Sequence, residues 1–230
     1  GVGAADKIIS REGNVYIKGG ISGKGKTVIR CKKNLYVKYL SDITVECEGS
    51  VYAGFYCMNS NIRAKQVIVE SPKGRITGGR IDADICVSAA EIGNRAEMRT
   101  TVRVRGFDRN SLRTELEEIK DALKEKRTDL QRTKQRMQEF SSSGRLTPEQ
   151  NNHFENVKTY YEELKDSIKE LEYHYKSIND FLKVPGEGAV IAKKRLYPRV
   201  RIEIKDLKEE ITSETAMVTY VIKDNELTAI

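Results

Sequence analysis

Apolar and polar residues alternate along the first hundred positions, and the alternation comes in short packets. NVYIK at Asn14, NLYVK at Asn34 and SVYAG at Ser50 are nearly one phrase written three times. Apolar–x–apolar triplets extend the series: Val15-Tyr16-Ile17, Leu35-Tyr36-Val37, Val51-Tyr52-Ala53, Val67-Ile68-Val69, Ile85-Cys86-Val87 and Val102-Arg103-Val104, spaced by 20, 16, 16, 18 and 17 residues. Between them lie second short strands at TVIRC (27–31), ITVEC (43–47), NIRA (61–64) and RITGG (75–79). No helical period appears here. A coil of this length is too small to bury its own apolar face, so it must stack on its neighbours about 4.8 Å away. The pattern therefore predicts a right-handed parallel β-solenoid. Period-two alternation sends Val15, Ile17, Leu35, Val37, Val51, Ala53, Val67, Val69, Ile85 and Val87 inward. Tyr16, Tyr36, Tyr52, Ile68 and Cys86 then form an outer ladder. Cys31 and Cys47 end equivalent strands and should stack as buried thiols, with Arg30 and Glu46 neighbours of opposite sign. Glycines 19, 20, 49, 54, 74, 78, 79 and 93 suit the corners. The alternative is an antiparallel sandwich, which would use two-residue hairpin loops that this stretch lacks.

After VRVRGFD the period changes. Leu112, Leu116, Ile119, Leu123, Lys126, Leu130, Thr133, Met137 and Phe140 alternate by fours and threes. So do Phe154, Val157, Tyr161, Leu164, Ile168, Leu171, Tyr175, Ile178 and Leu182. This predicts a long antiparallel coiled-coil hairpin, about 50 Å at 1.5 Å per residue, with Lys126 and Thr133 weakening mid-seam. Gly144 should break the helices apart. Thr147, Pro148 and Gln150 supply an N-cap, an N1 proline and a capping box, and VPGEG (184–188) ends the second helix. The strands GAVIAKK, RVRIEIK, EEITSE and AMVTYVIKDNELTAI then resume, adding rungs and a small antiparallel β cap. Val200, Ile202 and Ile204 face one way; Arg199, Arg201 and Glu203 face the other. The expected organisation is residues 1–107 as solenoid rungs, 108–183 as hairpin and 184–230 as returning strands and cap.

Composition narrows the partners. Charged residues make up 33% of the 230 positions and aromatics 7%, which fits a long, surface-rich shape. The net charge is +7, yet residues 108–183 hold 15 basic and 16 acidic side chains, so the excess lies outside them. No run of apolar residues is long enough to span a membrane. The start, GVGAADKIIS, has no basic n-region, no apolar h-region and no initiator methionine, and reads as a piece of a longer chain. Cys31, Cys47, Cys57 and Cys86 form no CxxC and lie far from His153 and His174, so they read as reduced thiols of a cytoplasmic protein and not as a zinc site.

Catalytic chemistry has little to work with. His153 and His174 sit on helical flanks with no nucleophile near them in sequence. Asp82 and Asp84 are the one acidic pair on a turn, and GKGK (23–26) lacks the P-loop pattern. The expectation is no enzyme, no cofactor and no metal. As partner-binding candidates the sequence offers the aromatic strip Tyr16, Tyr36 and Tyr52, and an arginine patch of Arg99, Arg103, Arg105, Arg109, Arg199 and Arg201, backed by Lys193, Lys194 and Arg195. The strip equally serves to stabilise rungs. The arginines equally pair with Glu97, Asp108 and Glu203, and a nucleic-acid role would call for interleaved aromatics. The hairpin reads as a surface for a protein partner or a second copy.

The stretch RITGGRIDADICVSAAEIGNRAEMRTTVRVRGFD (75–108) resembles the FapA (flagellar assembly protein A) family. The matching elements are Gly78-Gly79, Ile81 and Ala83, then Ile92-Gly93, then Thr101 to Gly106. A long coiled coil follows, then LYPRVRIEI (196–204), with Arg199 where that family usually has glycine. The resemblance covers the chain from about Asn14 onward and lacks the family's N-terminal domain. It implies a bacterial, cytoplasmic, non-enzymatic protein linked to flagellar assembly or cell-pole organisation, and transfers no catalytic residue. The other reading the sequence leaves open is a polyanion binder using the arginines.

Overall fold

A computed structural model describes residues 7–142 and 147–230. Gly144 and the first part of GVGAADKIIS lie outside the described residues. The chain divides into two compact units, Gly1–Phe107 with Val184–Ile230, and Asp108–Lys183.

The first unit is a parallel β-solenoid. Its strands are β1 (Lys7–Ser10), β2 (Val15–Ile17), β3 (Ile21–Cys31), β4 (Leu35–Cys47), β5 (Ser50–Val69), β6 (Arg75–Ile92) and β7 (Thr100–Val104). After the helices come β8 (Ala189–Leu196), β9 (Val200–Ile204), β10 (Leu207–Glu210), β11 (Thr215–Lys223) and β12 (Glu226–Ala229). Several strands run through corners, so one strand serves more than one face of the coil. On a first face Val15-Tyr16-Ile17, Leu35-Tyr36-Val37 and Val51-Tyr52-Ala53 stack in parallel register. On another, Ile29, Val45, Ile62, Ile81, Val102 and Ile202 form one inward column, each at most 2% exposed. Branched residues recur there because each side chain packs on another isoleucine or valine in the neighbouring turn, which rewards the stiff, well-packing shapes.

Two of the sequence triplets are displaced. Val67 and Ile68 pair with Val87 and Ser88, so Val87-Ser88-Ala89 holds the first-face position, not Ile85-Cys86-Val87. Cys86 pairs with Gln66 and Ala189, is buried and is not part of the outer ladder. The slip is two residues, and a period of two cannot register a slip of two. Val102-Arg103-Val104 stacks on Ile81-Asp82-Ala83, on the other face, and the first-face place above Ser88 is taken by Ile191. The helices are therefore inserted between two faces of the coil: β7 lies before them and β8 after them. Strands β8 and β9 continue the parallel stack on β6 and β7. Strands β10, β11 and β12 then form a C-terminal strand region, pairing antiparallel with β9, β8 and β11. The GKGK segment is the register break between Ser22 and Thr27, which accounts for the long first spacing.

The second unit is a pair of helices, α1 (Arg109–Ser142) and α2 (Pro148–Leu182). They run antiparallel: Phe140 meets Phe154 near one end, Arg127 pairs with Glu172 at 2.7 Å, and Arg109 Nη2 donates to Leu182 O at 2.6 Å near the other. Ile119, Leu123, Ile168 and Ile178 form its core, flanked by Leu112, Leu116, Leu130, Leu171, Tyr175 and Leu182. The capping box closes as expected, with Gln150 N donating to Thr147 Oγ1 and Thr147 N donating to Gln150 Oε1. Thr133 is buried in the seam and Lys126 half-buried.

Candidate functional site

Stacking in register turns single positions into columns, and the outer columns of the solenoid carry its chemistry. Tyr16, Tyr36 and Tyr52 lie face to face, with ring centroids 4.7 and 5.0 Å apart and planes within 7°. The backbone spacing sets the ring spacing, since neighbouring strands lie about 4.8 Å apart. Tyr16, at the first turn, is 69% exposed, whereas Tyr36 and Tyr52 are half-buried. A second stack, Tyr39 on Tyr56 at 4.9 Å, escaped the sequence reading because a register shift between Val37 and Tyr39 hides its spacing.

A charged column runs along the other face. Arg30, Glu46, Arg63, Asp82, Arg103, Glu203 and Lys208 follow one another across successive strands, alternating in sign at every step. Arg30 Nε lies 2.7 Å from Glu46 Oε2, Arg103 Nε 3.1 Å from Glu203 Oε1, and Lys208 Nζ 3.9 Å from Glu203 Oε2. Arg105 adds contacts of 3.5 Å to both Asp82 and Asp84. Directly opposed side chains on neighbouring strands interact pairwise, so opposite charges favour this register and like charges oppose it. The sequence showed the Arg30–Glu46 pair and an Arg103–Glu203 option. The rest was hidden because Arg63 and Asp82 take their places only once β5 and β6 are set in register with their neighbours.

The arginine candidates are thereby divided. Arg103 and Arg105 stand among carboxylates, which cancel much of their field. Arg201 is half-buried, in register with Thr101 and Glu210. Arg99 and Arg199 are exposed, and Arg109 belongs to the helical unit. Asp82 and Asp84, the acidic pair weighed as catalytic, hold Arg105 and, through Asp82, Arg80 at 3.7 Å. His174 Nε2 sits 3.3 Å from Glu115 Oε1 on the helices, and His153 packs against Phe140. Among the described residues no cluster of histidine, cysteine and carboxylates has the makings of a metal site, and no helix is long and apolar enough to cross a membrane.

Arg199 takes a left-handed conformation, φ 59°, in the Tyr197-Pro198-Arg199 turn. This is the backbone shape that favours glycine. The turn keeps it with arginine because its backbone is tied on both sides, Arg199 N donating to Ile211 O and Thr100 N to Arg199 O.

On the inward side Cys31 and Cys47 are register partners, with sulfurs 2.9 Å apart. Their column continues as Ala83, Val104 and Ile204 in later turns. Cys57 and Cys86 each face non-cysteine partners, and burial pushes each thiol up to about 12.

A family model described as the Flagellar Assembly Protein A β-solenoid domain matches residues 1–227. No match to the chain was found among curated proteins or among solved structures.

Proposed function

Since the chain belongs to the FapA β-solenoid family, we propose that it serves flagellar assembly or cell-pole organisation in the bacterial cytoplasm as a non-enzymatic scaffold. A right-handed solenoid supplies a stiff platform, and residues 108–183, paired as an antiparallel coiled coil, supply the arm that engages other proteins or a second copy. One observation carries this reading: the helical insertion has its own core of Ile119, Leu123, Ile168 and Ile178, while the solenoid core is drawn entirely from the other unit. An insertion of 76 residues that lends nothing to the solenoid core must be retained for what its surface does. The exposed Tyr16 with Tyr36 and Tyr52 is a second contact strip, and Arg99 and Arg199 with Arg109 and Arg201 are polar contacts for the same partners. Arg103 and Arg105 rank below them, being already engaged by carboxylates.

The test is capture of partners from bacterial lysate after nuclease treatment, by the full chain and by a version with residues 110–181 replaced by a short glycine linker. Discrete proteins that persist with nuclease and vanish without the arm support the proposal. Captured nucleic acid, removed by salt and indifferent to the arm, overturns it in favour of a polyanion binder.

A further inference from the structure

The Cys31–Cys47 pair has features that packing does not require. Elsewhere its column is filled by Ala83, Val104 and Ile204, so an apolar side chain fits these turns. The two sulfurs are register partners on adjacent strands, 2.9 Å apart, inside the contact distance of two unbonded sulfurs. Both line a surface cleft of about 510 Å³, whose charged lining mixes Arg11, Arg30, Lys32 and Arg63 with Glu46, Glu48 and Asp84. A small oxidant therefore has a route to the pair.

We propose that Cys31 and Cys47 are a redox-active dithiol that closes a disulfide between successive turns of the solenoid when a peroxide enters this cleft. Cys47 is the attacking sulfur. The hydrogen bond from Cys31 draws its thiol below the ordinary value, against burial, and backbone hydrogen bonds from Gly49 and Leu35 add to the effect. Cys31, which donates that bond, is pushed up by it and by burial. The Cys47 thiolate attacks one peroxide oxygen; a sulfur–oxygen bond forms, the oxygen–oxygen bond breaks, and hydroxide leaves, taking the thiol's released proton as water. Cys31 sulfur then displaces hydroxide from the Cys47 sulfenic acid, and the Cys31 proton converts that hydroxide to a second water. Two thiols are oxidised and one peroxide is reduced to two waters. Cys57 and Cys86 have no thiol in register and serve as internal controls.

The experiment treats the folded full chain with hydrogen peroxide and follows intact mass and peptide maps. The expected result is loss of two hydrogens assigned to the Cys31–Cys47 bridge, reversal by a thiol reductant, and a rise in the solenoid's unfolding midpoint of roughly 6–12 °C from closing a loop this short. Cys31→Ser should leave a Cys47 sulfenic acid that dimedone traps. Three results overturn the proposal: a folded chain left unmodified while the unfolded chain oxidises, oxidation of Cys47 past sulfenic acid with no bridge, or bridges scattered over Cys57 and Cys86.

Discussion

Gly79 and Arg199 both hold left-handed backbone conformations, yet only one of them depends on being glycine. A Cβ on Gly79, at φ +75°, would fall 2.4 Å from Ser60 O and 2.6 Å from Ser60 N, both backbone atoms of the neighbouring turn. Neither can give way without displacing that turn. Gly79→Ala should therefore cost about 3 kcal/mol in chemical unfolding. Arg199→Gly should leave stability within about 0.5 kcal/mol of the parent, because relief of the left-handed strain offsets the added freedom of the unfolded chain. Tyr220 sets an alkaline limit. Burial first, then the charge of Glu209 and the hydrogen bond its hydroxyl donates to Glu209 Oε1, push its phenol from 10.0 up to about 12. A folded value above the unfolded one means stability present in full below pH 10 and lost as the pH rises through 12. Cys57 and Cys86 act with the same sign from about pH 9 upward. Unfolding midpoints measured from pH 8 to 12 should fall, and Tyr220→Phe should make the fall above pH 10 shallower while leaving the cysteine part, which runs from about pH 9 to 12.

At the scale of elements, the alternating charge column predicts a gradient of sensitivity. Glu203 is flanked by Arg103 and Lys208, and its side chain is 14% exposed. Glu203→Lys would place three cations in successive positions where water screens them poorly, and should cost about 2 kcal/mol. Glu46→Lys makes the same reversal between Arg30 and Arg63, but its side chain is 49% exposed. There the cost should stay below about 1 kcal/mol and shrink further in salt. Equal losses at both sites, measured by urea unfolding at low and high salt, would mean that burial does not decide the matter.

The molecule as a whole is two cores on one chain. Leaving the solenoid at β7 and rejoining it at β8 requires the two chain crossings to lie near each other. Phe107 N donates to Glu187 O at 2.8 Å, both within the solenoid unit. A short linker in place of residues 110–181 should therefore preserve the solenoid, with its unfolding midpoint within about 3 °C of the parent. A collapse of that midpoint would show that the arm is needed for folding, and the scaffold-and-arm division would fail with it.

Much of this was legible in the residues. Repetition of NVYIK, NLYVK and SVYAG gave the stack, the four-three spacing gave the helices, and Thr147 with Gln150 gave the cap, because each signal is local. Tertiary structure alone decided which rung follows which. A period of two is blind to a slip of two, so Ser88 stood unnoticed where Cys86 had been expected. Charge pairing across the arm was legible only as one option among several. Arg103 and Glu203 are a hundred residues apart in sequence, and only the return of β9 onto β7 makes them neighbours.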